Sequence, residues 1–247
     1  MKHFFQALRF LTVFPLGKDE DLTADDLAAS TIYYPVVGVL IGLLLFVCWQ
    51  WGRTVWPIFL ASALTVTLWV WLTAGLHLDG LMDTFDGLGV RGDKERRLAV
   101  MRDSRVGAFG VQSAVLLIFL KIAAVSALAA NPAYYPVLIL APLAGRTAML
   151  ALMSTCSYAR AGEGLGRVFV VGTGRWHLAA AVLFFIFLGL LVVGSSIFLL
   201  FLLQAVILFL LRNFFLNNFG GVTGDLLGAA CELHELSVLI LMPFILL

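Results

Sequence analysis

This sequence is poor in charge. Only 13% of its 247 residues are Asp, Glu, Lys or Arg, while 62% are hydrophobic. A soluble domain of this size cannot hide so much apolar surface, so the deficit excludes one. A formal net charge of +1, with no basic cluster interleaved with aromatics, excludes a nucleic-acid binder. Cysteine is scarce as well: Cys48, Cys156 and Cys231 lie far apart, with no CxxC and no Cys/His pairing. They read as small buried hydrophobes, without a disulfide framework or a zinc site. No internal repeat is visible, and Gly162, Gly164 and Gly166 follow no strand, so the glycine-rich stretch Ala159 to Trp176 reads as a flexible loop rather than a dinucleotide-binding turn. His177 beside it reads as an interfacial residue.

What is present is a series of long apolar runs. Stretches able to cross about 30 Å of hydrocarbon extend from Thr31 to Trp51, Val55 to Ala74, Phe109 to Ala129 and Ala133 to Thr155. Trp176 to Leu211 is too long for one helix, and Gly194, Ser195 and Ser196 divide it into two short spans. A last segment, Leu226 to Leu247, is interrupted by Glu232, His234 and Glu235. The N-terminal MKHFFQALRFLTVFPLG lacks a small-residue cleavage site and reads as an amphipathic helix on the membrane surface, with Phe4, Phe5, Leu8 and Leu11 facing lipid. The expected fold is an all-α, polytopic membrane helical bundle: one domain over residues 1–247, with six to seven transmembrane helices, an amphipathic segment over 1–30 and a catalytic segment over 75–108.

The few basic residues are placed asymmetrically. Alternating the spans puts Lys2, Arg9, Lys18, the arginine-rich stretch Arg91 to Arg105, Arg160, Arg167, Arg175 and Arg212 on one face, with Arg53 alone opposite and Lys121 and Arg146 inside spans. By the positive-inside rule that face is cytoplasmic. Every acid up to Asp225 falls on the same face, so the working surface is expected there.

On that face the stretch HLDGLMDTFDG (His77 to Gly87) carries Asp79, Asp83 and Asp86. Positions i, i+4 and i+7 of a helix share an arc of about 60°. Three stacked carboxylates at a membrane rim repel one another and demand a cation. A hard divalent ion, which takes oxygen ligands and leaves positions open for phosphate, answers that demand. Gly75, Gly80, Gly87 and Gly89 leave backbone room for a ligand. Arg102 and Arg105, flanking Asp103, and Arg146 in the fourth span are candidate phosphate partners, because a guanidinium fork matches phosphate geometry. In NNFGGVTGDLLGAACELHE (Asn217 to Glu235), Thr223 or Gly224 can cap a helix that places Asp225 and Glu232 on one side. Asp225 there either completes the metal site or merely favours the positive helix end.

The motifs HLDGLMDTFDGLG, MRDSRVGAFG, GRTAM and GGVTGDLLGAACELHE, with FLTVFPL near the start and YYPVVGVLIG in the first span, resemble the cobalamin-5'-phosphate synthases, the adenosylcobinamide-GDP ribazoletransferases of bacteria. The resemblance runs over essentially the whole chain. It implies a magnesium-dependent enzyme of the bacterial inner membrane that joins adenosylcobinamide-GDP to α-ribazole or its 5'-phosphate and releases GMP. Under it, Mg2+ is held by Asp79, Asp83, Asp86 and Asp225; Arg102, Arg105 and Arg146 take phosphate oxygens; and Asp103 or His77 accepts the hydroxyl proton. The lipid bilayer is an expected partner, nucleic acid is not, and a homo-oligomer is left open. A weaker similarity is to CDP-alcohol phosphotransferases: Asp83, Asp86 and Gly87 fit the start of their signature, but the following Ala-Arg is absent. A cation transporter is a third reading, opposed by the lack of a repeat.

Overall fold

The protein is described by a computed structural model covering residues 1–16, 23–162 and 164–246. Lys18 and Glu163 lie outside the described residues, as does Leu247. The described residues are almost entirely helical: α1 (Lys2–Leu11), α2 (Ala24–Ser30), α3 (Tyr34–Val55), α4 (Ile58–Leu72), α5 (Leu76–Gly89), α6 (Lys94–Val100), α7 (Ala108–Ala127), α8 (Val137–Thr155), α9 (Leu165–Gly172), α10 (Arg175–Val193), α11 (Ser196–Phe219) and α12 (Gly224–Ile245). Six stretches among them are long and apolar enough to cross a membrane, which makes this a multi-pass bundle.

The helices form two layers of burial. α8 and α12 are central, with 83% and 72% of their apolar windows buried, whereas α10 and α11 are apolar all round and only 17% buried. An all-round apolar helix with few protein neighbours is solvated by lipid. α3 reaches α8 through Gly38 and Gly42: a Cβ at Gly42 would stand 2.6 Å from the Ile139 Cα, and one at Gly38 2.7 Å from the Pro142 carbonyl oxygen. Small residues at i and i+4 let the two backbones touch, which is how helices gain packing energy where lipid is as apolar as leucine.

Three expectations are corrected, and the last segment, which the sequence left open, proves continuous. The second span holds only 15 helical residues, about 22 Å, and the chain then turns by 88° into α5. Ala74 and Gly75, both at positive φ (51° and 67°), make that turn. α5 therefore leaves the span and lies across the arginine-rich end of the bundle. The last segment is one helix despite its acids, because Glu232, His234 and Glu235 are buried against polar partners rather than breaking it. α11 runs on to Phe219, so Arg212 sits within it instead of after it. In α1, Leu8 and Leu11 are buried in the protein core rather than facing lipid, with Phe4 and Phe5 half-buried. The glycine-rich loop also contains an unexpected helix, α9, whose Phe169 and Val170 are buried.

Candidate active site

Close packing assembles the site. Gly80 on α5 abuts α12 so tightly that a Cβ would lie 2.7 Å from the Asp225 carbonyl oxygen, and Gly228 on α12 faces the His77 carbonyl in the same way. Two helices can approach this far only where side chains vanish. The approach brings Asp79 and Asp83 of α5 beside Asp225 in the first turn of α12, whose N-terminus is capped by the Thr223 hydroxyl accepting from the Leu226 amide. A second constraint comes from the chain after α8. Tyr158 bridges to Val222, with Ala159 N–H donating to the Val222 carbonyl at 2.9 Å, and this carries Arg160 to the same place. Arg160 donates to the Asp225 carboxylate at 2.7 Å and to the Met101 carbonyl at 3.4 Å.

Asp79, Gly80, Tyr158, Arg160, Asp225 and Gly228 line one cavity of about 510 Å³ between α5, α8, α9 and α12. Asp79, His77, Arg102, Arg160 and Asp225 supply its polar wall; Phe10, Met149, Met153, Leu165 and Phe169 supply its apolar one. Asp79 is exposed and also borders a second opening toward Arg9 and Ala74. Asp83 stands just behind, half-buried. Its burial, together with the charges of Asp225, Asp79 and Asp86, pushes its carboxyl up to about 7, with Arg160 opposing the rise.

The acidic residues do not all play one part. Both oxygens of Asp86 are already engaged, accepting from the Gly107 amide at 2.7 Å and the Gly110 amide at 2.8 Å, so Asp86 caps α7. Among the described residues no three His, Cys, Asp or Glu side chains converge into a ready coordination sphere. The donor set nevertheless suits a hard divalent ion: every candidate donor is a carboxylate oxygen, and the repulsion felt at Asp83 shows negative charge that Arg160 does not cancel. Asp79, Asp83 and Asp225 are the carboxylates with capacity to spare.

The arginines and candidate bases sort differently from the sequence reading. Arg102 lines the cavity as expected. Arg105 does not: its side chain is 87% exposed and pairs with Asp103 at 2.7 Å, outside the cavity lining. Those hydrogen bonds hold the Asp103 carboxyl down at about 2, which removes it as a general base. Arg146 is fully buried, ion-paired to Glu235, and offers no open face to a phosphate. Beneath the cavity it belongs to a closed charge network. Lys121 of α7 contacts Glu232 and Glu235 of α12 at 2.5 Å each and stands 4.1 Å over the Trp69 ring, while Arg146 adds the Pro142 carbonyl at 3.5 Å and His77 Nδ1 at 3.4 Å. Two cations answer two anions, so these mid-bundle charges are structural partners of one another. Glu232 thus lies on the same helix as Asp225 but serves Lys121.

Arg160 is the residue that the sequence reading missed. It counted only as flanking charge, because nothing local distinguishes it; the pairing of Tyr158 with Val222 alone brings it to Asp225.

Comparison with known proteins identifies the family. A family model described as Cobalamin-5-phosphate synthase matches residues 3–243. The chain is similar to proteins named adenosylcobinamide-GDP ribazoletransferase: 37% identical to that of Clostridium acetobutylicum, covering 92% of this chain and 90% of the relative; 34% identical to that of Acetivibrio thermocellus, over 98% and 97%; and 42% identical to that of Pseudomonas fluorescens, over 97% and 98%. No solved structure matches.

Proposed function

The chain belongs to the cobalamin-5-phosphate synthase family, and from that premise we propose how its cavity performs an adenosylcobinamide-GDP ribazoletransfer. The observation that carries the reading is the gathering of Asp79, Asp225, Arg102 and Arg160 around one nucleotide-sized cavity. The protein is a transferase of cobalamin biosynthesis. Its donor is adenosylcobinamide-GDP, and its acceptor is α-ribazole or the 5'-phosphate of that nucleoside.

The acceptor's hydroxyl oxygen forms a bond to the phosphorus attached to the cobinamide, and the bond from that phosphorus to GMP breaks. Such a transfer needs positioning and charge neutralisation more than covalent assistance. Arg102 and Arg160 take diphosphate oxygens, with Arg160 exchanging the Asp225 carboxylate for the substrate. The apolar wall of Met149, Met153 and Phe169 receives a planar base. A 510 Å³ cavity accommodates the diphosphate and a nucleoside, while the corrin stays at the opening. Departing GMP needs no proton, and the hydroxyl proton passes to Asp79, the carboxylate most open to the cavity.

Mg2+ is the proposed cofactor, held by Asp79, Asp83 and Asp225, while Asp86 caps α7. When bound, such an ion neutralises charge developing on phosphate oxygens. The arginine-rich end is proposed to face the cytoplasm across the bacterial inner membrane, following the basic asymmetry. The test is donor choice: purified protein in nanodiscs releases GMP from adenosylcobinamide-GDP with magnesium and no CMP from CDP-diacylglycerol. CMP release would return the assignment to the phospholipid-type transferases.

A further inference from the structure

His77 was expected to accept a proton, yet its surroundings prescribe the opposite. Its Nδ1 lies 3.4 Å from an Arg146 guanidinium nitrogen. Arginine carries donors only and keeps its charge, so Nδ1 must be the lone-pair nitrogen. An imidazolium, or the Nδ1–H tautomer, would turn an N–H toward the N–H groups of Arg146. The proton therefore sits on Nε2. That atom is buried and has no hydrogen-bond partner among the described residues, although His77 is 2% exposed and lines the cavity beside Asp79 and Asp225. A buried N–H without a partner is costly, so the site holds an unspent donor.

We propose that His77 donates its Nε2–H to a phosphate oxygen of the bound donor substrate, and that Arg146 is a positioning residue that fixes this tautomer. The inference rests on the transferase reading for the identity of the oxygen. Arg146 is itself held in place, since Glu235 binds it and shares Lys121 with Glu232. The buried network thus runs from α7 through α12 and α8 to one imidazole on α5. A neutral donor suits its place: it stabilises charge developing on an oxygen without adding a full cation beside Arg102 and Arg160.

The experiment has two arms. In protein labelled with [15N]histidine and reconstituted in lipid, the His77 signals are those missing from His77→Gln. Nε2 is expected to carry the proton and Nδ1 to be bare, and Arg146→Lys, which keeps a cation for Glu235 but withdraws the second donor, should shift the population toward Nδ1–H. In turnover, His77→Gln, whose amide can place an N–H near the Nε2 position, should retain activity within about 10-fold, while the shorter His77→Asn loses about 100-fold in kcat with little change in KM. An Nδ1–H tautomer in the wild-type protein overturns the proposal. So do equal losses in the Gln and Asn variants, which would mark a base or a merely structural residue. The NMR arm needs no substrate, so a protein that releases no GMP while showing the Nε2–H tautomer defeats the transferase reading and leaves the positioning role of Arg146 standing.

Discussion

Gly80 and Asp225 are pressed together: the α-carbon of the glycine sits where any larger residue would collide with the Asp225 backbone, its absent Cβ only 2.7 Å from the carbonyl oxygen and 3.0 Å from the Cα. The contact joins the helix that carries Asp79 and Asp83 to the one that carries Asp225. Both obstructing atoms are backbone, so they cannot rotate away. Gly80→Ala should pry α5 from α12 and cost at least about 1–3 kcal/mol as overpacking. The expected readout is a loss of turnover of 10-fold or more in protein that still inserts and purifies, and normal kcat in that variant would mean the two helices need not meet.

Asp83 and Asp86 are separable by function. Asp83→Asn removes repulsion from a crowded, half-buried carboxylate, so folding stability should hold or rise while magnesium-dependent turnover disappears. Asp86→Ala instead strips two amides at the start of α7 of their acceptor and should lower stability by about 1–2 kcal/mol. Thermal denaturation in detergent beside isothermal magnesium titration distinguishes them. Reversed behaviour of the two variants would exchange their roles.

Lys121 should be intolerant of solitary replacement. Lys121→Met leaves Glu232 buried without its cation, at a cost of about 3–5 kcal/mol. Adding Glu232→Gln removes the orphaned charge and should restore most of the loss. A double variant no more stable than the single one would show that the ion pairs are not the binding element between α7 and α12.

Arg160 is expected to act on donor binding. Arg160→Gln withdraws a charge-assisted bond from the cavity and should raise the KM for adenosylcobinamide-GDP about 10- to 100-fold. Arg105→Gln, at a position 87% exposed and turned to Asp103, should change KM less than 2-fold, about the size expected when only a surface ion pair is lost. Similar KM effects in both would mean that the cavity wall is not where the diphosphate lies.

Sidedness is open to direct labelling. Cysteine placed at Asp103 should react with a membrane-impermeant maleimide only in inverted vesicles, and cysteine at Ser195 only in right-side-out cells, after the native cysteines are replaced. Labelling of the first from outside would turn the active site to the other compartment.

Much of this molecule is written in one dimension. Apolar runs set by lipid thickness disclose the spans, the break at Gly194 discloses the α10–α11 hairpin, and the i, i+4, i+7 spacing of Asp79, Asp83 and Asp86 discloses an acidic helix face, because each depends on neighbours within a few turns. The capture of Asp86 by the α7 amides, the withdrawal of Arg146 to Glu235 and the arrival of Arg160 at Asp225 depend on residues 24, 89 and 65 positions apart. Hydrophobic length and helical period are properties of a segment and survive without its surroundings. Which charge meets which is a property of packing, decided where Gly80, Gly228, Gly38 and Gly42 let backbones close in and leave each buried ion only one place to find its partner.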